Sequence, residues 1–336
     1  MTGKALIYRA LDHEEVPRAP YSIGFTEQAR DMMATHFEDE DFGKEPIGDM
    51  VSSPVIQVEF GVRDADGTYI DEFGVEWDRS RDPDIGMPRP SLTPDTLDDF
   101  VWPNPRSAGR FKVLESNLTR YPDKFQLMAL DLSLYERAWS LRGLENFLID
   151  MIANPAFAEA LLDRILEFNL GIIDEGLSRF PEVDAVYFGD DFGTQRGVVM
   201  GESRWCELLK PRLAKQYQRV KEWDRKVFIH SCGAVAELFP HLVESGVDCF
   251  NPFQPEVMDV YALKNQYSGR LAFWGGISTQ RLLPFGTGDE VRNEIRKLQE
   301  MAKRGGYIIA PAHAIPGDAN PENVAVILEM LGFGSK

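Results

Sequence analysis

The stretch Val227-Phe228-Ile229-His230-Ser231-Cys232-Gly233 shows the pattern from which the fold of this chain is predicted. A short apolar run, typical of a strand, ends in a polar turn, and a helical pattern opens at Ala234. The same order of strand, turn and helix recurs along the chain from about residue 125. Strands that alternate with helices form right-handed βαβ units, which build a parallel sheet.

The repeated units predict a (β/α)8 TIM barrel, an α/β fold. The strands are short and no G-x-G-x-x-G turn follows them, which disfavours a dinucleotide-binding sheet. Six units after residue 120, with further strands before it, make eight. We expect one barrel domain over residues 1–336. The predicted strands span 125–130, 185–188, 227–229, 249–251, 271–274 and 307–310, and the predicted helices span 135–152, 155–179, 203–223, 234–245, 290–303 and 321–331.

The first part of the chain, up to about residue 115, is rich in Pro, Gly and Asp and is expected to hold the first strands and an N-terminal extension. A strand is predicted over 20–24 and a helix after Thr26. Asp64-Ala65-Asp66-Gly67 predicts a hairpin turn, and the β-prone residues 68–70 and 75–77 are its flanks. We expect the hairpin to cover one end of the barrel.

Composition narrows the range of partners. The chain has 336 residues, with 54 acidic against 36 basic side chains and a net charge of −18. That charge argues against nucleic acid and anionic membranes as partners. No apolar run is long enough to span a bilayer, and the N-terminal residues lack the apolar core of a signal peptide. Three cysteines are too few for a disulfide framework, so a reducing cytoplasm is the expected location.

Residues that carry chemistry follow several of the predicted strands. Barrel enzymes place their active sites at the C-terminal ends of the strands. His230 and Cys232 are two residues apart at one strand end, so their side chains should project to the same side. Imidazole nitrogen and thiolate sulfur are ligands that zinc prefers. With His313 after the last strand, they predict a metal site, and Asp190 and Asp191 lie at a neighbouring strand end.

Each of these residues has a simpler interpretation. A histidine at a strand end often only forms hydrogen bonds, and a single cysteine often packs as a small core residue. Asp190 and Asp191 could cap a helix or accept backbone hydrogen bonds. Cys249, between Val247 and Phe250, is expected to pack in the core.

Further residues near the strand ends are candidates for substrate binding. Glu136 and Arg137 could contact a ligand or form an ion pair at a helix start, and Arg196 could reach the cavity beside Gln195. Aromatic side chains near strand ends either line a cavity or belong to the core, and Phe253 is one of these. The predicted substrate-binding set is Glu136, Tyr187, Gln195, Asn251, Gln254 and Trp274.

Five segments of the chain together resemble a known superfamily. They are Gly189-Asp190-Asp191-Phe192-Gly193-Thr194-Gln195, His230-Ser231-Cys232-Gly233, Asn251-Pro252-Phe253-Gln254-Pro255, Trp274-Gly275-Gly276-Ile277 and Ala310-Pro311-Ala312-His313. In this order they resemble the uroporphyrinogen decarboxylase superfamily, over most of the chain after about residue 120.

The resemblance favours one branch of that superfamily. True uroporphyrinogen decarboxylases carry an R-Q-A-G-R segment after the first strand that grips substrate carboxylates. The equivalent stretch here, residues 23–30, lacks the first arginine. The other branch holds zinc-dependent corrinoid methyltransferases, among them methylcobamide:coenzyme M enzymes and methyltransferases of anaerobic O-demethylation. Their site resembles H-x-C on one strand plus a later cysteine. His230 and Cys232 match, whereas His313 stands where that cysteine would fall.

The resemblance implies a zinc-dependent methyltransferase that works with a separate corrinoid protein. Its substrate would be a small methylated molecule, and a methyl ether such as a methoxylated aromatic is preferred because nitrogen in place of sulfur leaves zinc a stronger Lewis acid. Asp190 or Asp191 would complete the metal shell or transfer a proton. One alternative is a metal-free decarboxylase-like enzyme, in which Asp190 or Asp191 is the acid and His230 and His313 orient a carboxylated substrate. The other is a non-catalytic binding protein. A homodimer is left open.

Overall fold

A parallel sheet forms the framework of the fold and positions the residues at its strand ends. The computed structural model describes residues 1–56, 68–80, 86–107 and 109–333. Seven strands are hydrogen-bonded in the order β8-β7-β6-β5-β4-β3-β2, and β1 lies between the two edges. The strands are β1 (Ser22–Ile23), β2 (Met50–Pro54), β3 (Phe125–Leu130), β4 (Ala185–Gly189), β5 (Lys226–His230), β6 (Cys249–Phe253), β7 (Ala272–Ile277) and β8 (Tyr307–Pro311).

The segment around β1 closes the sheet into a barrel. Tyr21 forms a parallel bridge with Ile309 of β8, and the Ile309 N–H donates to the Pro20 carbonyl at 2.9 Å. On the other side, the Asp49 N–H donates to the Tyr21 carbonyl at 2.8 Å, next to the start of β2. The predicted (β/α)8 barrel is therefore confirmed. The strand β2 contains Ser52, Ser53 and Pro54 and gave no clear strand pattern in the sequence.

Helices surround the barrel and mostly follow the predicted bounds. The helix predicted over 135–152 is wrong in one respect, because Gly143 at φ +90° breaks it into two. The helix predicted from residue 234 begins later, with a 3-10 turn at Ala236–Leu238. The helices are Gly3–Leu11, Glu27–Phe37, Lys112–Arg120, Tyr135–Arg142, Leu144–Ala153, Pro155–Arg179, Glu202–Arg204, Lys210–Glu222, Phe239–Glu244, Val260–Gln266, Leu282–Phe285, Gly288–Ala302 and Pro321–Met330, with a π turn at Trp205–Leu209 and a 3-10 turn at Pro94–Thr96.

The N-terminal end of the barrel interior is filled by apolar side chains. Ile7 and Leu11 of the first helix pack against this cluster and close that end. Cys249 is fully buried in the same cluster, so its predicted place in the core is confirmed. Apolar side chains therefore pack this end of the interior, and a cavity with polar groups lies at the other end. The strand residues of the cluster are Met50, Phe125, Leu127, Ala185, Phe228, Cys249, Ala272 and Ile308.

A small antiparallel sheet, called the covering sheet here, lies over the C-terminal end of the barrel. Its strands are Tyr69–Ile70, Glu76–Asp78 and Met87–Arg89, and Tyr69 pairs with Trp77. The predicted turn at residues 64–67 lies outside the described residues. The predicted flanks do pair with each other, but around a turn in which the Gly74 N–H donates to the Asp71 carbonyl.

A buried ion pair fastens the covering sheet to the barrel. The Asp71 carboxylate accepts hydrogen bonds from the Phe73 and Val75 N–H groups, each at 2.9 Å, and from the Trp77 indole at 3.1 Å. It also pairs with the Arg137 guanidinium, and both side chains are almost fully buried. Of the two roles considered for Arg137 from the sequence, the structure shows the ion pair, and its partner Asp71 is distant in sequence.

Within the described ranges, no helix combines the length and the apolar character that crossing a bilayer requires.

Candidate active site

A cavity of about 300 Å³ lies at the C-terminal ends of the strands, under the covering sheet. A larger cavity, of about 510 Å³, enters beside β1 and β2, but its lining in the described part of the chain contains no His, Cys or Asp. The smaller cavity gathers most of the residues that can carry chemistry. Its wall consists of Tyr69, Arg79, Asp131, Leu132, Glu136, Tyr187, Gly189, Asp191, His230 and His313.

Three side chains with different donor atoms converge at this cavity. One ligand atom from each of Asp191, His230 and Cys232 lies within 4.8 Å of the others. His230 Nε2 is 3.4 Å from Cys232 Sγ and 3.5 Å from Asp191 Oδ1. The expected juxtaposition of His230 and Cys232 is therefore observed. Nitrogen, sulfur and carboxylate oxygen at such separations form a donor set that suits zinc.

Hydrogen bonds fix the orientation of the His230 ring. The Asn251 amide Nδ2 donates to the Trp274 carbonyl at 2.9 Å, which turns Asn251 Oδ1 toward the imidazole. His230 Nδ1 lies 2.6 Å from that oxygen and must donate to it. The proton then resides on Nδ1, and the lone pair on Nε2 faces Cys232 and Asp191. A partner of this kind on the second ring nitrogen is usual for metal-binding histidines.

The loop after β5 is held in the shape that places Cys232. The Cys232 N–H donates to Asp191 Oδ1 at 2.7 Å, and the Gly233 N–H donates to Gln254 Oε1 at 2.6 Å. Gly233 has φ +94°, and a Cβ there would lie 2.6 Å from the Gly193 backbone carbonyl carbon. Only glycine fits this close approach without strain.

The cavity is rich in acidic groups. Burial, then the charges of Asp191 and Glu136, raises the pKa of the Cys232 thiol. Burial, then the charge of Asp191, raises the pKa of Glu136 well above its usual range, and burial likewise raises the pKa of Asp131. Cys232, Glu136 and Asp131 therefore lose their protons less readily than they would in water. A divalent cation at this place would offset the accumulated negative charge, so the residues present fit a zinc ion.

Asp190 points away from this cluster. It is fully buried, and its two carboxylate oxygens accept the backbone N–H groups of Tyr135 at 3.0 Å and Glu136 at 2.8 Å. Burial raises the pKa of Asp190 to about 7, against the effect of these hydrogen bonds. The side chain caps the helix Tyr135–Arg142, as the simpler sequence interpretation allowed, and it does not line the cavity.

His313 lies on the cavity wall but outside the compact cluster. Its ring centroid is 6.3 Å from that of His230, and its side chain is exposed. Among the described residues, Asp191 occupies the place in the cluster that the sequence assigned to His313. A ligand role for His313 stays a prediction.

The predicted substrate-binding residues divide into several groups. Glu136 and Tyr187 line the cavity. Asn251 and Gln254 are buried and hold His230 and Gly233 by hydrogen bonds. The Trp274 ring lies 5.9 Å from that of Tyr187 and borders the larger cavity. Gln195 and Arg196 are exposed in the turn between the short strands Gly193–Thr194 and Gly197–Val198. Phe253 stacks on Phe273 in the core.

Four cavity residues were missed by the sequence analysis, namely Tyr69, Arg79, Asp131 and Leu132. Asp131 directly follows the predicted strand 125–130, so the rule that found Asp190 would have found it too. Tyr69 and Arg79 belong to the covering sheet and its exit, where the Arg79 guanidinium lies 4.5 Å from the Tyr69 ring centroid. No strand-end pattern of the barrel points to them.

Comparisons with known proteins agree with this architecture. A solved structure described as a methyltransferase from Methanosarcina mazei superposes with a TM-score of 0.70 at 17% identity, covering 98% of each chain, and shows the same fold. A methylated-thiol–coenzyme M methyltransferase of Methanosarcina mazei is 22% identical over 258 residues. That match covers 74% of this chain and 65% of the relative. Residues 123–332 match the uroporphyrinogen decarboxylase (URO-D) family profile. The chain therefore belongs to the uroporphyrinogen decarboxylase family.

Proposed function

We propose that this protein is a zinc-dependent methyltransferase that moves a methyl group between a small methylated substrate and the cobalt of a corrinoid carried by a separate protein. The observation that supports it most is the convergence of Asp191, His230 and Cys232, with His230 Nε2 turned toward the other two donors. The similarity to a relative that bears a methyltransferase name supports the reaction class.

The proposed ligands are Asp191, His230 and Cys232. Three protein ligands leave one position of a tetrahedral site open, which distinguishes catalytic from structural zinc. Zinc bound there would act as a Lewis acid toward the heteroatom that carries the methyl group. Asn251 keeps the imidazole in the tautomer that presents Nε2, and the Cys232 N–H orients Asp191.

The remaining cavity residues would hold the substrate. Tyr69 and Tyr187 offer ring surfaces on the wall, and Glu136 and His313 offer groups that can hydrogen-bond a substrate heteroatom. The covering sheet, fastened by Asp71 and Arg137, would shield a bound substrate from water. A cavity of about 300 Å³ admits a small molecule but not a corrinoid, which would approach its mouth on a partner protein.

The substrate that we propose is a methyl ether, such as a methoxylated aromatic. A carboxylate has the same formal charge as a second thiolate but donates less electron density to zinc, so the metal would polarise an ether oxygen more strongly. The two tyrosine rings suit an aromatic substrate. The relative's name refers to methylated thiols, so thioethers are the competing substrate class.

A single assay series tests this function. Anaerobically purified protein is mixed with reduced corrinoid protein or free cob(I)alamin, and the corrinoid spectrum is followed with methoxylated aromatics, methylamines and thioethers. We expect methylation of cobalt with methyl ethers, dependent on about one zinc per chain as in other three-ligand catalytic sites. Cys206→Ser, a substitution outside the cavity wall, is the control and should behave as wild type.

Two outcomes would redirect the proposal. Methylation with thioethers alone would keep the reaction and replace the substrate class. No methylation in either direction from any donor, by protein that carries zinc, would refute the function. The metal-free decarboxylase alternative is less favoured, because it does not explain why Asp191, His230 and Cys232 converge.

A further inference from the structure

Lys264 is a charged side chain buried without a counter-ion. It lies on the helix Val260–Gln266 and is only 5% exposed. Among the described residues, its ammonium group has neither a hydrogen bond nor an ion pair. Lys264 Nζ lies beside Gly306 and His13, since a Cβ on Gly306 would be 3.1 Å from Nζ and 2.4 Å from His13 Nδ1. Lysine side chains are rarely this deeply buried unless they are paired, so the position of Lys264 needs an explanation.

Lys264 is part of the wall of a cavity. The cavity has a volume of about 370 Å³ and lies between the helices Val260–Gln266 and Gly288–Ala302. Arg304, just beyond the second helix, also lines it and forms no ion pair with a described residue. The space is open to the surface and is large enough for a small organic anion.

The acidic groups near this cavity are already engaged elsewhere. Glu294 accepts the Tyr261 hydroxyl at 2.6 Å and pairs with Lys297 at 3.2 Å. Glu300 lines the cavity but pairs with Lys303 at 2.5 Å. Lys264 and Arg304 are therefore left as the cations without a carboxylate of their own.

The electrostatic environment agrees with a missing anion. Burial, then the charge of Arg304, lowers the pKa of Lys264. Burial, then the charge of Lys264, lowers the pKa of the neighbouring His13. The positive groups thus destabilise one another, and an anion between them would relieve the repulsion.

We propose that this cavity is a binding site for a small oxyanion, a carboxylate or a phosphate, held between Lys264 and Arg304. The site is distinct from the proposed active site. Gly306 immediately precedes β8, whereas His313 follows the C-terminal end of that strand, so the two sites lie at opposite ends of the barrel. The bound anion would act as an effector or a stabiliser and not as the substrate.

Thermal unfolding of the full chain tests the site. Inorganic phosphate and succinate are titrated separately at constant ionic strength, which sodium chloride maintains. We expect at least one of them to raise Tm by about 4 °C at about 100 times its Kd. Lys264→Met and Arg304→Met should abolish this rise. Lys215→Met, at an exposed lysine on the helix Lys210–Glu222, is the matched control and should keep it.

The comparison is made within each variant, with and without the anion, so a change in basal stability does not obscure it. If Lys264→Met does not fold, the exposed Arg304 variant still gives a result. A rise with phosphate alone or succinate alone identifies the anion class. A wild-type Tm that neither anion raises beyond sodium chloride, or an equal rise in the Lys264 variant, would overturn the proposal.

Discussion

Replacing Asn251 with leucine removes the group that orients His230 while leaving all three proposed zinc ligands in place. Leucine has a similar size but can accept no hydrogen bond. The bond from His230 Nδ1 to Asn251 Oδ1, 2.6 Å in the structure, would be lost, and the imidazole could place its proton on either nitrogen. Part of the population would then present an N–H instead of a lone pair to Cys232 and Asp191.

The size of the effect follows from this single contact. Loss of an outer partner of a ligating histidine weakens metal binding about 10- to 100-fold, which corresponds to about 1.4–2.8 kcal/mol. The substitution also leaves the Trp274 carbonyl without its 2.9 Å donor, so the free energy of unfolding should fall by about 1–3 kcal/mol. Asn251→Asp keeps an acceptor for Nδ1 and should bind zinc at least as tightly as wild type.

Zinc affinity is measured by competition with a chromophoric chelator, beside unfolding in denaturant. Asn323→Leu is the matched control, because Asn323 is also buried, donates to the Leu283 and Gly286 carbonyls and lies outside the cavity wall. It should lose stability and keep zinc affinity. Zinc affinity in Asn251→Leu within twofold of wild type, at a loss of stability like that of the control, would refute the orienting role.

Three further experiments test the site and its support. Cys232→Ala should lose zinc and keep its fold, whereas Cys249→Ala, inside the barrel, should keep zinc and lose about 1–2 kcal/mol of stability. Similar behaviour of the two variants would remove Cys232 from the proposed ligands. His313→Ala should keep zinc, by metal analysis, and turn over substrate poorly, because the side chain lines the cavity outside the compact cluster; loss of zinc would make it a ligand. Arg137→Met should lower the free energy of unfolding by about 3–5 kcal/mol in a denaturant titration, because Asp71 stays buried without its counter-charge, and a smaller loss than about 1 kcal/mol would contradict that account.

Local sequence patterns were sufficient for most of the barrel. Strand β3 and the helix Pro155–Arg179 begin and end at the predicted residues, since apolar alternation and helical periodicity are strong there. The predicted helix bounds were wrong where the backbone changes conformation within a helical pattern. At Gly143, a positive φ ends one helix, and the next helix begins directly after it. Strand β2 was missed because its serines and proline lack the usual β preference, and the barrel forms it by pairing with β3.

The candidate site was predictable where its residues directly follow a strand, because the end of a strand can be recognised from the residues around it. His230 and Cys232 were found because a strand of known direction places i and i+2 on one side. Asp131 could have been predicted in a similar way, because it directly follows strand β3. Tyr69 and Arg79 were not, because the covering sheet reaches the cavity only through tertiary packing, which the buried Asp71–Arg137 pair stabilises.

The sequence by itself therefore determined the order of strands and helices, the barrel and the end of it that carries the chemistry, because these follow from periodicity and from the chirality of βαβ units. Only the tertiary structure decided which side chains meet. Asp190 and Asp191 are neighbours, yet one caps a helix and the other joins the donor cluster. Asn251 reaches His230 because β5 and β6 pair in that register. Contacts between side chains depend on strand register and on closure of the barrel, which no local pattern encodes.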